Sequence, residues 1–265
     1  MRNFLAIYTK EMRSYFVSPV AYVIAGVFLF LTGYLFRNIL MQFNYYCLQF
    51  SQRQQFMQGG MPNLNLNEMV VTQFFAVMDF IWLMVVPMLT MRLFSEEKRT
   101  GTLELLMTAP VRSSEVVLGK FLATQFFYML IWSSLLLFVF VLEVLGRPAG
   151  PDWGVVKSMY FGLFFLGCMT NSLGLLASTV SRNQLVAAVL ALSGNLLFFS
   201  IAFLGFYYRE TPELQRFFHY LSFQAHFKSG YFKGIVELRY LVFYLGFTSL
   251  FLFLSVNMVS TRKWR

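Results

Sequence analysis

The stretch RLFSEEKRTGTLELLMTAPVRSSEVVLGK occupies residues 92–120, and no other part of the chain is so densely charged. Residues 69–91 precede it and residues 121–142 follow it, and apart from Asp79 neither run carries a charge. Each is long enough for the roughly 20 residues that cross a hydrocarbon layer. A charged block between two such runs reads as the surface turn of a membrane hairpin.

Working outward, residues 14–36, 158–181, 183–208 and 240–261 are four further uncharged runs. Lipid offers no partners to strand edges, so all six runs are expected to be helices. The fold class expected is all-α: a polytopic membrane protein with six transmembrane helices near 19–36, 70–91, 121–142, 158–180, 184–207 and 240–259, in one domain spanning 1–265. Composition agrees. The chain is 58% hydrophobic and 12% charged, against about 25% charged in soluble domains.

Basic residues orient the chain. With the N-terminus inside, cytoplasmic parts hold 12 Lys and Arg and external parts hold nine, five of them in one loop, 209–239. Both termini are therefore read as cytoplasmic, in a cell (inner) membrane. The net charge of +9 needs no nucleic acid, because basic residues at the inner leaflet account for it. No cleavable signal peptide is expected, since residues 1–18 lack a continuous apolar core. Cys47 and Cys168 do not make a disulfide framework.

Residues 1–18 read as an amphipathic helix in the interface, with Phe4, Leu5, Tyr8, Met12, Tyr15 and Phe16 on one face and Arg2, Lys10 and Arg13 opposite. It is either an anchor or also a partner contact. Residues 37–69 read as an external loop, broken by Gly59, Gly60 and Pro62. Pro87 is expected to kink span two. Asp79 at mid-membrane calls for a helix–helix hydrogen bond or a place along a route, and Asn171 and Asn195 join it as possible intramembrane polar positions. Ala21/Ala25 and Ala187/Ala191 have small-xxx-small spacing, which suits close packing within one subunit or between two. The last loop, 208–239, is expected to carry short surface helices. His219 and His226 have no acidic cluster beside them, so no metal site is expected.

Catalytic motifs are missing from the sequence. It has no G-x-x-x-x-G-K-[ST], H-E-x-x-H or G-x-S-x-G. An intrinsic ATPase or intramembrane hydrolase is thereby disfavoured, and a carrier acting alone leaves the charged block without a purpose. In that block SEEKRTG reads as solvated charge. TLELLMTAP reads as a short cytoplasmic helix with Leu103, Leu106 and Met107 on one face, stopped by Pro110, and Ser113-Ser114-Glu115 as the cap of the third helix. An apolar face there suits a partner's groove or lipid headgroups.

FSEEKRTGTLELLMTAPVRSSEVVLGK resembles the segment after span two in ABC transporter permeases of the type-2 exporter class, a pattern near E-x-[KR]-x-x-G-T-[LIM]-E-x-L-x-x-x-P-[VI]. The positions that match are Glu96 or Glu97, Lys98, Gly101, Thr102, Leu103, Glu104, Leu106, Pro110 and Val111. The opening IYTKEMRSYFVSPVAYVI, the stretch HFKSGYFKGIVELRY and the ending STRKWR are similar to gliding-motility-type permease subunits, except that Tyr240 stands where an acid is expected. The resemblance implies a permease subunit of an ATP-driven ABC exporter, with a second permease subunit and a separate cytoplasmic ATPase that holds ATP and Mg. No cofactor on this chain is implied. It implies that residues 100–110 couple the ATPase to the membrane helices, with Glu96, Glu97, Gly101, Thr102, Leu103, Glu104, Leu106, Met107 and Pro110 as coupling residues, and that spans one and five meet at the dimer contact through Ala21, Ala25, Ala187 and Ala191. An assembly that transmits force outward without moving a solute is the alternative it leaves open.

Overall fold

A computed structural model describes residues 2–54, 65–108, 111–146, 150–207 and 211–262. Every regular element among them is helical, and six helical stretches are long and apolar enough to cross a membrane. The protein is an all-α polytopic membrane protein.

Helix α1 (Arg2–Val17) ends at Ser18, and α2 (Pro19–Gln54) begins on a proline. Proline is tolerated there because its missing N–H has no intrahelical partner in the first turn. At 36 residues, α2 is about 54 Å long and outruns a hydrocarbon core of about 30 Å. The expected loop at 37–69 is corrected: its first part is helix to Gln54. Gln, Leu and Met are good helix formers, and Ile39 is buried with Leu40 and Phe43 packed against the core. Gly59, Gly60 and Pro62 lie outside the described residues.

A π-helical turn (Asn67–Val71) leads into α3 (Thr72–Thr90), which continues through Pro87. After Met91 the chain enters α4 (Arg92–Arg99) and α5 (Thr102–Thr108). The third crossing comprises α6 (Ser113–Ser133) and α7 (Leu135–Leu145), interrupted at Ser134. There Ser133 and Ser134 hydroxyls donate to Leu130 and Ile131 carbonyls at 2.7 and 2.6 Å, local bonds that compete with the helical ladder. Glu115, not Ser113 or Ser114, caps α6, its carboxylate accepting from the Arg112 N–H at 3.1 Å. The chain closes with α8 (Trp153–Val180), α9 (Gln184–Tyr207), α10 (Pro212–Leu221), α11 (Phe223–Ser229) and α12 (Leu238–Arg262).

Helix α8 is central. In its most apolar stretch 72% of residues are buried, against 28% in α2 and 17% in α9. Its glycines make room for neighbours: a Cβ at Gly162 would sit 2.6 Å from the Tyr231 ring, one at Gly167 would collide with Tyr128, and one at Gly174 with Thr90. Beside α8, Trp82 meets Phe28 at 5.2 Å and Tyr128 at 4.9 Å between ring centroids. Ala21, Ala187 and Ala191 are buried inside this one chain, and Ala25 packs against its core. Their small side chains serve intramolecular contact. Tyr22, Val23 and Phe30 of α2 and Leu185, Val189 and Leu197 of α9 face outward instead.

Two faces of the bundle follow from six crossings: a near face with α1, α4 and α5, and a far face with α10 and α11. The far cap is built on His226, which is fully buried. Its Nε2 lies 2.9 Å from the Tyr220 carbonyl oxygen, which makes that nitrogen the donor, and its ring stacks on Tyr240 at 4.2 Å. The Tyr240 hydroxyl lies 2.7 Å from Ser229 Oγ and accepts from Arg239 at 3.0 Å. Tyr240 thus replaces the expected acid with a ring that roofs His226. Burial pushes His226 down to about 4, so it is neutral at ordinary pH.

Candidate functional site

The charged block is not a solvated loop. Its α4 is fixed on three sides. Glu97 Oε1 lies 3.0 Å from Lys10 Nζ of α1 and 3.0 Å from Lys120 Nζ of α6, and Lys120 lies 2.7 Å from Glu11 of α1. The Lys120 side chain is 2% exposed and that of Glu97 13%. Two cations and two carboxylates therefore neutralise one another, with Lys120, Glu11 and Glu97 largely shut off from water and Lys10 closing the cluster from the solvent side at 60% exposure. Lys120 also lies 5.2 Å over the Phe94 ring. Burial pulls the Lys10 ammonium down, but the hydrogen bond and charge of Glu97 and the charge of Glu11 outweigh it and hold it above its ordinary value.

On its other side α4 grips the end of α8. Ser178 Oγ accepts from the N–H groups of Phe94 and Ser95 at 2.9 and 3.1 Å and donates to the Met91 carbonyl at 3.1 Å. Lys98 donates to the carbonyls of Ser178 at 3.4 Å, Thr179, and Ser181 at 3.5 Å. Those are the unpaired acceptors of a helix C-terminus, where a cation is favoured.

The turn from α4 to α5 is made at Gly101, whose φ is +74°. L side chains avoid that region, which accounts for glycine there. Thr100 and Thr102 hydroxyls lie 3.0 Å apart across the turn, and Thr100 donates to the Glu96 carbonyl at 3.0 Å. In α5, Leu103 is 6% exposed and packs in a cluster with Ile7, Phe94, Val116, Val117 and Phe121. Leu106 leans on the same cluster. The reading of Leu103 as a partner's anchor is corrected accordingly, since its own bundle covers it, while Leu106 is only partly covered. Thr102 and Glu104 are exposed. The Met107 side chain and Pro110 lie outside what is described.

Helix α1 also packs against the bundle. Its inward line is Ile7, Glu11 and Tyr15, and Leu5 and Phe16 are exposed. Tyr15 donates to the Leu89 carbonyl at 3.2 Å and lies 3.0 Å from Thr124 Oγ1. The intramembrane polar residues are not gathered. Asp79 is buried on α3, and among the described residues no hydrogen bond or ion pair reaches its carboxylate, so the helix–helix bond expected of it is not formed. Asn171 donates to Gln125 Oε1 of α6 at 2.9 Å. Asn195 is buried on α9 with its Nδ2 unpaired. Among the described residues no group of three or more His, Cys, Asp and Glu could hold a metal ion.

Sequence reasoning matched Lys98 to the family pattern without its partner, and it missed Glu11, Lys120 and Ser178 and the inward role of Lys10. The available signal was Lys120 itself, a cation followed at once by an apolar span.

No curated protein matches the chain. The sequence pattern of the ABC-2 family transporter proteins matches residues 5–261, which take in α1, the α4–α5 junction and all six crossings. The protein is therefore a multi-pass membrane component of transport, a permease-type chain belonging to the ABC-2 transporter family.

Proposed function

We propose that this chain is the membrane half of an ATP-driven exporter and that α4 and α5 receive the stroke of a separate cytoplasmic ABC ATPase. The single observation that carries the reading is the four-charge cluster joining α4 to α1 and α6. A push on α5 passes into α4 across one glycine turn. From α4 it passes to α1 and α6 through Glu97, and to α8 through Lys98 and Ser178. A helix tied by short polar bonds to three neighbours moves with them as a body, which is what coupling requires. ATP and Mg belong to the ATPase, and this chain neither hydrolyses nucleotide nor holds a cofactor. In this reading the near face and both termini are cytoplasmic in the inner membrane, and a second permease subunit meets the outward surfaces of α2 and α9.

The exposed residues of the α4–α5 turn then form the docking surface. In co-expression with an ABC ATPase encoded beside it, Glu104→Lys and Thr102→Trp should each weaken ATPase retention on purification by about tenfold or more, roughly 1.4 kcal/mol. Glu213→Lys on the far face should leave retention unchanged. Full retention by both near-face variants rules the docking surface out. ATPase activity in liposomes that rises with a solute identifies export. Activity indifferent to every solute favours outward force transmission.

A further inference from the structure

A cavity of about 440 Å³ lies between α1, the start of α2, the end of α3 and the start of α4. Its two ends differ in chemistry. Val20 and Ile24 of α2 and Met88 and Leu89 of α3 line the apolar end, and Met88 is 47% exposed on the flank of the bundle. The polar end carries three cations, Lys10, Arg92 and Lys120, and three acids, Glu11, Glu96 and Glu97. Four of these six are spent on one another in the buried cluster. Arg92 and Glu96 remain.

Neither remaining group has a hydrogen-bond or ion-pair partner among the described residues. Arg92 Nε is shut off from solvent with its bond unmade. The two residues are four apart on α4, so they stand on one face about 6 Å apart along the axis. Ser14 and Ser18 line the same end, and among the described residues no bond occupies either hydroxyl. A headgroup with one anion and one nearby N–H cation matches this pair. A purely anionic lipid would bring net charge into a balanced site and leave Glu96 unmatched. A quaternary ammonium has no N–H to give Glu96.

We infer that this cavity binds a phospholipid with a primary-amine headgroup, its phosphate on Arg92 and the Ser14 and Ser18 hydroxyls, its ammonium on Glu96, and one acyl chain along Val20, Ile24 and Met88. The place is right for it: α2 starts and α3 ends here, at the headgroup level of one leaflet. A lipid seated so packs α1 against α2 and α3, and the site stands whether or not an ATPase docks on α5.

The test is native mass spectrometry of the full-length protein in detergent, titrated separately with dioleoyl phosphatidylethanolamine, phosphatidylcholine and phosphatidylglycerol. One phosphatidylethanolamine should be retained about tenfold more tightly than either other lipid. Arg92→Gln should weaken all three by about tenfold. Glu96→Gln should erase the preference over phosphatidylcholine while phosphatidylcholine binding stays unchanged. Should Arg92→Gln fail to fold, Glu96→Gln decides alone, because the Glu96 carboxylate has no partner to lose among the described residues. Equal retention of the three lipids overturns the inference, as does an undiminished preference in Glu96→Gln. Displacement of the lipid by millimolar water-soluble phosphoethanolamine marks a site for the free headgroup and overturns it too.

Discussion

Glu97→Gln removes one charge from the α1–α4–α6 cluster without changing its shape. At 3.0 Å from each lysine, an effective dielectric near 20 gives roughly 5 kcal/mol of Coulomb attraction per pair. Most of that is offset by the cost of holding the charges away from water. The Lys10 pair counts for little, about 0–1 kcal/mol, because the Lys10 side chain is 60% exposed. The Lys120 pair counts for more, since Lys120 is 2% exposed. Lys120 nevertheless keeps Glu11 at 2.7 Å, so Glu97→Gln should cost about 2–3 kcal/mol rather than the roughly 3–5 kcal/mol of a stranded buried charge. Lys120→Met should reach that upper range, because it leaves Glu11 and Glu97 together with Lys10 alone to answer them. Lys10→Met should cost about 0–1 kcal/mol. Reversible unfolding in mixed detergent micelles measures all three, and the 97/120 double variant should show a coupling of about 1–3 kcal/mol. A cost below about 0.5 kcal/mol for Glu97→Gln, or equal costs for Lys10→Met and Lys120→Met, would refute the reasoning.

Gly101→Ala should cost roughly 1–2 kcal/mol through backbone strain alone, since an added Cβ meets nothing within 4 Å; Gly101→Asn should cost less in the same unfolding assay. Asp79→Asn should leave stability unchanged or raise it by up to about 3 kcal/mol, because it removes a mid-membrane carboxylate that has no hydrogen-bond or ion-pair partner among the described residues; a loss above about 1 kcal/mol would reveal one. His226 sits at about 4 when folded against an ordinary 6.5, so below pH 6.5 the unfolded chain takes up more protons. Its contribution is complete above pH 6.5 and should fall by about 3 kcal/mol as pH drops to 4, a slope that unfolding of His226→Gln should lack.

The sequence by itself determined the six crossings, the all-α class and the position of the charged block between the second and third crossings. Hydrocarbon demands long uncharged helices, and that demand is written residue by residue along the chain. It matched Gly101 to the family pattern, and the structure supplied the reason, a turn with φ of +74° that L side chains avoid. What it could not give was the partner of each charge. Lys10, Glu97 and Lys120 lie on three helices, 87 and 23 residues apart in the chain, and only the packing of α1 against α6 brings them within 3.0 Å. Periodicity likewise placed Leu103 on an apolar face without saying whether a partner or the chain's own Phe94 and Val116 would cover it. The same holds for Ala21, Ala187 and Ala191, whose spacing permits close approach but names no neighbour. Burial depends on which faces meet, and that is decided by the whole bundle closing at once, with α8 as the helix every neighbour must fit.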